Sequence, residues 1–203
     1  MPTEVLTGWG RTAGTAADVV APADAADLQQ LVDVPMPRGM VARGLGRSYG
    51  DQAQNAGGRV VLGTGLDRIE SIDLATGLID VDGGVSLDSL MRIFLPLGLF
   101  PPVIPGTRFV TVGGAIASDI HGKNHHVDGS FGQHVTGITL HTPARGPIGV
   151  APEAAFSAPW QSSPPIAQRA IGSRCFRTSC IFPLSWAKRG QQSARTSHPI
   201  ASN

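Results

Sequence analysis

Ala42-Arg43-Gly44-Leu45-Gly46-Arg47-Ser48-Tyr49-Gly50-Asp51 follows directly on the apolar pair Met40-Val41. Met40-Val41-Ala42 has the composition of a short buried strand, and it runs straight into glycines. A strand that ends in a glycine-rich turn exposes successive backbone N–H groups, which form a concavity suited to phosphate oxygens. Gly44 and Gly46 permit close approach, Ser48 adds a hydroxyl, and Arg43 or Arg47 can offset negative charge. The dinucleotide-binding fingerprint is only two-thirds present, because Tyr49 stands where the third glycine belongs, and no amphipathic helix follows. A plain Gly-rich turn with two solvated arginines is the competing reading.

Working outward, the flanking segments alternate short strands with helices. Asp24 caps a helix whose Leu28, Leu31 and Val32 share one face. Val60-Val61-Leu62, Ile69 to Ile72 and Leu78 to Asp82 are expected to be strands. Ser86 caps a second helix through Leu87, Leu90, Met91 and Phe94, which stops near Pro96 and Gly98. Mixed elements in this order indicate an α+β fold.

Three further motifs carry chemistry. Pro105-Gly106-Thr107-Arg108 precedes the apolar run Val110 to Ile120, in which Gly113-Gly114 opens a helix. Glycine costs roughly 1 kcal/mol against alanine inside a helix. Close approach of a flat ligand to the helix N-terminus, or tight packing on a sheet, would offset that. His121, His125, His126 and His134 lie close together with Asp119 and Asp128. A metal site is weighed against loop histidines lining a polar pocket. Gly122 in place of Glu and the absence of Cys disfavour the metal, and no metal is expected. Finally, Trp9 between Gly8 and Gly10 is either a core anchor or an arm lying over a ligand.

Composition sets limits. The chain has 203 residues with 26 Gly and 41% hydrophobic residues. No window approaches the roughly 18 apolar residues of a membrane-spanning helix, and the N-terminus lacks the features of a secretory signal. Cys175 and Cys180 are too few and too close for a disulfide framework. Residues 1–143 hold 14 acidic and 9 basic residues, whereas 144–203 hold 1 and 7, with only 4 of the glycines. The basic stretch has no arrayed Lys/Arg face, so no nucleic-acid partner is expected.

Gly-Trp-Gly-Arg (8–11), the 42–51 segment, Pro-Gly-Thr-Arg (105–108), residues 110–126 and Gly-Ser-Phe-Gly (129–132) occur in order at fitting intervals. Together they resemble the vanillyl-alcohol-oxidase-type (PCMH-type) FAD-binding oxidoreductases, specifically the branch that oxidises the 2′-hydroxyl of a polyprenyl-phosphate ribose. The resemblance covers about residues 6–143. It implies a truncated PCMH-type FAD-binding domain of two α+β subdomains over 1–143, with an irregular tail over 144–203. It implies that Arg43, Gly44, Leu45, Gly46, Arg47, Ser48 and Tyr49 hold the FAD pyrophosphate. Gly106, Thr107, Thr111, Gly113, Gly114, Ser118, Ile120 and His121 are implied on the flavin side. His121 and Lys123 are the candidates near flavin and substrate.

Many members of the family carry a histidine in the Gly loop that bonds covalently to the flavin. Arg47 stands there in this chain, so non-covalent FAD is expected. The implied substrate is a polyprenyl-phosphate sugar, and a partner reductase completes an epimerisation. A sugar-lactone or alditol oxidase, and a vestigial FAD-binding protein without catalysis, are the alternatives. Cytoplasmic synthesis with peripheral membrane association is the expected location. Nothing after about residue 143 matches the family's substrate domain, so little oxidase activity is expected of the chain.

The abrupt change of composition near Ala144 is the signature expected of a shifted reading frame. Resequencing the gene is predicted to find such a shift there. An uninterrupted frame matching relatives through residue 203 would contradict it.

Overall fold

The computed structural model describes residues 3–11 and 13–150, together with the backbone of Phe176–Pro183. Two sheets form two lobes. In the first, β1 (Thr3–Thr7) and β2 (Gly14–Val20) pair antiparallel, with Thr3 opposite Asp18 and Thr7 opposite Gly14. The chain then passes through α1 (Ala25–Asp33) to β3 (Met40–Arg43) and β4 (Arg59–Leu62). β4 lies parallel to both β2 and β3, giving the order β1-β2-β4-β3.

Local chemistry explains these elements. Asp24 accepts the Asp27 amide at 2.8 Å and Asp27 accepts the Ala23 amide at 2.9 Å, so two otherwise orphaned donors at the start of α1 are satisfied. Leu28 and Val32 bury against Met40, Val61 and Leu66, and Leu31 is half-buried. Successive strand side chains point to opposite faces. Val60 accordingly joins Ala17 and Val19 in a separate cluster on the far face. A central strand buried on both sides reads as a continuous apolar run, which is why Val60-Val61-Leu62 shows no alternation. Arg59, 3% exposed, is paired at 2.8 Å with its register partner Asp18.

The second lobe holds β5 (Ile69–Asp73), β6 (Leu78–Val81), α2 (Leu87–Phe94), α3 (Val112–Ala117), α4 (His125–Asp128), β7 (Gly137–Thr142), β8 (Gly146–Val150) and β9 (Phe176–Pro183). Its sheet runs β5-β6-β9-β7-β8, with every neighbouring pair antiparallel. Ser86 accepts the Ser89 amide at 3.0 Å and starts α2. Leu87, Leu90 and Phe94 bury with Ile79, Val81, Val103, Ala115, Ile116, Phe131 and Ile138. α2 ends in a 3-10 turn over Leu95–Leu97, closed by Gly98 at φ +75°, a left-handed conformation that favours glycine.

The change of composition at 143–144 falls in the β7–β8 turn, where Ala144 has φ +63°. Within 144–203, β8 and β9 are strands of the second sheet, and the other expectations for the tail lie outside the described residues. No helix among the described residues is long and apolar enough to cross a membrane.

The lobes are tied where α1 meets β7. Gln29 Nε2 donates to the Thr142 carbonyl at 3.1 Å, and the Ala144 amide donates to Asp33 at 3.0 Å. The Gln29 amide, then the Ala144 amide, hold the Asp33 carboxyl below its usual range. His141 is buried, with Nδ1 2.9 Å from Gln29 Oε1; an amide oxygen only accepts, so Nδ1 carries the proton. Desolvation lowers the His141 pKa from its ordinary 6.5. The folded chain therefore binds this proton more weakly than the unfolded one. The stability this contributes is present above pH 6.5 and is lost as the pH falls from there through the folded pKa. Urea titrations on either side of that value are predicted to show a loss on acidification that is smaller in His141→Asn. An equal loss in both proteins would contradict this assignment.

Candidate functional site

The Gly loop leaves β3 at Arg43, and the Arg43 guanidinium folds back to close its neck. Nη1 donates to the Ala53 carbonyl at 3.0 Å and Nη2 to the Thr7 carbonyl at 2.8 Å. Burial lowers its pKa. Of the two arginines expected to offset charge, Arg43 is thus a backbone fastener. Gly46 has φ +67°, and a Cβ there would lie 2.5 Å from Arg43 Nη2. Glycine is required on both counts. Arg47 donates to the Leu45 carbonyl at 2.6 Å, and its guanidinium sits 4.5 Å from the centre of the Trp9 ring.

Carbonyls of this loop are engaged from one side, by the Trp9 amide on Ser48 O at 2.7 Å and the Gly10 amide on Tyr49 O at 3.0 Å. The loop's own amides are not. Among the described residues, no backbone N–H from Leu45 to Gly50 donates a hydrogen bond. Six successive donors without partners on a glycine-bearing loop are the kind of groups that receive an anion. Trp9 is 53% exposed, so it is an arm against this loop and not a core anchor.

The second segment is α3. Thr111, buried, accepts the Gly114 amide at 3.1 Å as N-cap. The Val112 amide donates to Val85 O at 2.8 Å, and the Gly113 amide to Gly83 O at 2.7 Å. The N-terminal amides of α3, expected from the sequence to meet a ligand, are therefore engaged by the protein itself. The helix offers instead an exposed edge of small residues, Gly114, Ala117 and Ser118, while Val112, Ala115 and Ile116 face the core. Gly106 is exposed, with nothing within 4 Å of where a Cβ would stand. Thr107 accepts the Phe109 amide at 3.2 Å. Arg108 is paired with Asp88 and lies over Phe109, 5.1 Å from the ring centre. Arg92, then Asp88's own desolvation and Arg108, govern that carboxyl, whose pKa is lowered overall.

The Gly loop and α3 meet directly. A Cβ on Gly44 would collide with the Thr111 hydroxyl, so the missing side chain is what lets the two lobes close.

Beyond α3 the chain forms a tied loop. Asp119, at φ +41°, accepts the Gly132 amide at 2.8 Å, and Ile120 O accepts the Phe131 amide at 2.8 Å. His121 bridges Ser130. Asn124 donates to Pro102 O at 2.9 Å and to Asp128 at 2.8 Å. This framework holds half-buried Ile120 and exposes His121, Lys123, His125 and His126. His121 and His125 meet edge to face at 5.6 Å, through a turn and not a continuous helix. His134 lies apart from these rings in its bonding, with Nε2 donating to Asp128 O at 2.7 Å. Among the described residues no three His, Cys, Asp or Glu side chains converge to hold an ion.

The inward turn of Arg43 and the attachment of the Trp9 arm have no local signal in the sequence. Arg43 depends on the Thr7 carbonyl at the end of β1 and the Ala53 carbonyl, and the arm depends on its own amides reaching the Ser48 and Tyr49 carbonyls.

Comparison with known proteins finds several relatives. Decaprenylphosphoryl-beta-D-ribose oxidase of Mycolicibacterium smegmatis is 57% identical over 143 residues, which are 69% of this chain and 31% of that protein. An uncharacterized protein of Streptomyces coelicolor is 50% identical over 58 residues, 29% of this chain and 16% of its own length. D-2-hydroxyglutarate dehydrogenase of Escherichia coli is 33% identical over 97 residues, 47% of this chain and 10% of its own length. The chain thus spans about a third or less of each of these relatives. The family model described as an FAD binding domain matches residues 16–149, which takes in the Gly loop, α3 and the histidine loop, and the chain belongs to that family.

Proposed function

We propose that the chain binds FAD non-covalently and is the cofactor-holding part of an oxidase for the sugar hydroxyl of a polyprenyl-phosphate sugar. The observation that carries this reading is the run of unpartnered amides from Leu45 to Gly50, set at the seam where Gly44 meets Thr111. The residues present suit such a cofactor. The amides suit a diphosphate, Ser48 adds a hydroxyl, and Arg47 lends positive charge to the same loop. Tyr49, 76% exposed, and Leu45 border it. Gly106, Gly114 and Ser118 leave room for a flat ring system, with Thr107 and Ile120 beside them. Thr111 and Gly113 act through the backbone that supports this edge.

Arg47 also favours a non-covalent cofactor. A guanidinium stays protonated and is no nucleophile, and the loop from Arg43 to Asp51 contains no His or Cys.

Bound FAD supplies the two-electron acceptor for alcohol oxidation. The protein's part is to hold the alcohol and to take its proton. On this reading exposed His121 accepts that proton and exposed Lys123 offers an ammonium to the phosphate of the substrate. A polyprenyl tail brings the encounter to a membrane surface, and a keto-sugar product calls for a reductase as the next partner. The chain spans 31% of the oxidase it resembles, so the tests read cofactor binding.

Two outcomes test this. FAD titrated into the purified chain is predicted to bind, and acid precipitation to release all the flavin into the supernatant. Flavin retained in the washed pellet would contradict non-covalent attachment. Gly46→Val forces a branched side chain into a left-handed backbone against Arg43, and FAD affinity is predicted to fall about tenfold or more. Unchanged affinity with a native far-UV spectrum would remove the loop from the site.

A further inference from the structure

The Gly8-Trp9-Gly10-Arg11 arm has no assigned part in the cofactor reading. It is nevertheless fastened along the Gly loop at several points. Arg43 holds the Thr7 carbonyl, Trp9 N–H donates to Ser48 O, and Gly10 N–H donates to Tyr49 O. Gly8 has no room for a side chain, since a Cβ there would run into the Tyr49 and Gly50 carbonyls. The Arg47 guanidinium lies on the Trp9 ring while bonding Leu45 O.

These bonds have a geometric consequence. In a trans peptide, the C=O of one residue and the N–H of the next lie in one plane and point in opposite directions. With Ser48 O turned to the arm, the Tyr49 N–H points away from it. With Tyr49 O turned to the arm, the Gly50 N–H does the same. The arm therefore aims two of the unpartnered donors toward the side left open for an anion. The arm's backbone bonds set its course along the loop, and the exposed Trp9 indole adds its contact with Arg47 to them. A cation over an exposed indole face is worth a factor of about two to five in an equilibrium.

We infer that Trp9 is a positioning residue for the diphosphate of a bound dinucleotide: stacked with Arg47, it holds the arm that orients the Tyr49 and Gly50 amides. This rests on the FAD reading above and adds a residue outside the loop to it.

The test compares Trp9→Leu, which keeps apolar bulk but loses the ring face, with Trp9→Phe, which keeps a ring. FAD affinity is measured by flavin fluorescence, and Tyr49 and Gly50 are followed by amide NMR. Trp9→Leu is expected to weaken FAD about two- to fivefold with its melting temperature nearly unchanged, and Trp9→Phe to recover most of the affinity. FAD-induced shifts at Tyr49 and Gly50 are expected in wild type and Trp9→Phe, and smaller ones in Trp9→Leu at matched saturation. Losses in Trp9→Leu and Arg47→Ala are expected to be non-additive in the double variant. Wild-type affinity in Trp9→Leu, or simple additivity, would overturn the inference and leave FAD binding standing. A wild-type chain that binds no FAD would overturn both.

Discussion

The absence of a side chain at Gly44 sets the relation of the two lobes. Its Cα faces the Thr111 hydroxyl, which is itself committed to capping α3. A single added carbon would push the Gly loop off the second lobe. The same solution recurs nearby. Gly113 packs on the Gly83 carbonyl, and Gly84 packs on the carbonyls of Gly63 and Leu66. Backbone approaches backbone at both of these points, and the Gly84 N–H bond to Leu66 O at 2.9 Å closes the seam. Each glycine lowers stability by roughly 0.5–1 kcal/mol through added freedom in the unfolded chain. A side chain at any of these points would hold the facing groups apart.

That seam explains where free donors can persist. The start of α3 is occupied by bonds to Val85 and Gly83, so the helix serves as a rigid wall and not as an anion site. The Gly loop lies against that wall with its carbonyls turned to the N-terminal arm. Its amides are left as the unsatisfied set. Charge follows the same division. Arg43 is engaged by two carbonyls and Arg108 by Asp88, whereas half-buried Arg47 bonds the loop's own Leu45 O and lies over Trp9. Affinity for a diphosphate at such a site comes mainly from oriented amides, which cost no reorganisation on binding.

Much of this was legible from local chemistry. Asp24 and Ser86 marked both helix starts, and Pro96 with Gly98 marked the end of α2. The apolar run at Val60-Val61 correctly indicated a buried strand. β1 was not legible, because an edge strand with Thr3, Glu4, Val5 and Thr7 exposed carries no buried alternation to detect. β8 was obscured by Gly146, Pro147 and Gly149. β9 gains its place from strands more than 30 residues away in sequence, Leu78–Val81 and Gly137–Thr142, rather than from any period of its own. In the site, residue types pointed to phosphate chemistry, whereas the direction of each donor was set by long-range contacts. Arg43 shows this most clearly, since Thr7 and Ala53 decide which way it turns.

The central claim is that unpartnered amides on the Gly loop and the small-residue edge of α3 face one bound cofactor. Hydrogen–deuterium exchange of the chain with and without FAD tests it most directly. Slowed exchange is predicted at Leu45–Gly50 and around Gly106 and Gly114–Ser118, with little change in the β1–β2 hairpin. Protection elsewhere in the chain, with exchange at Leu45–Gly50 unaltered, would contradict it.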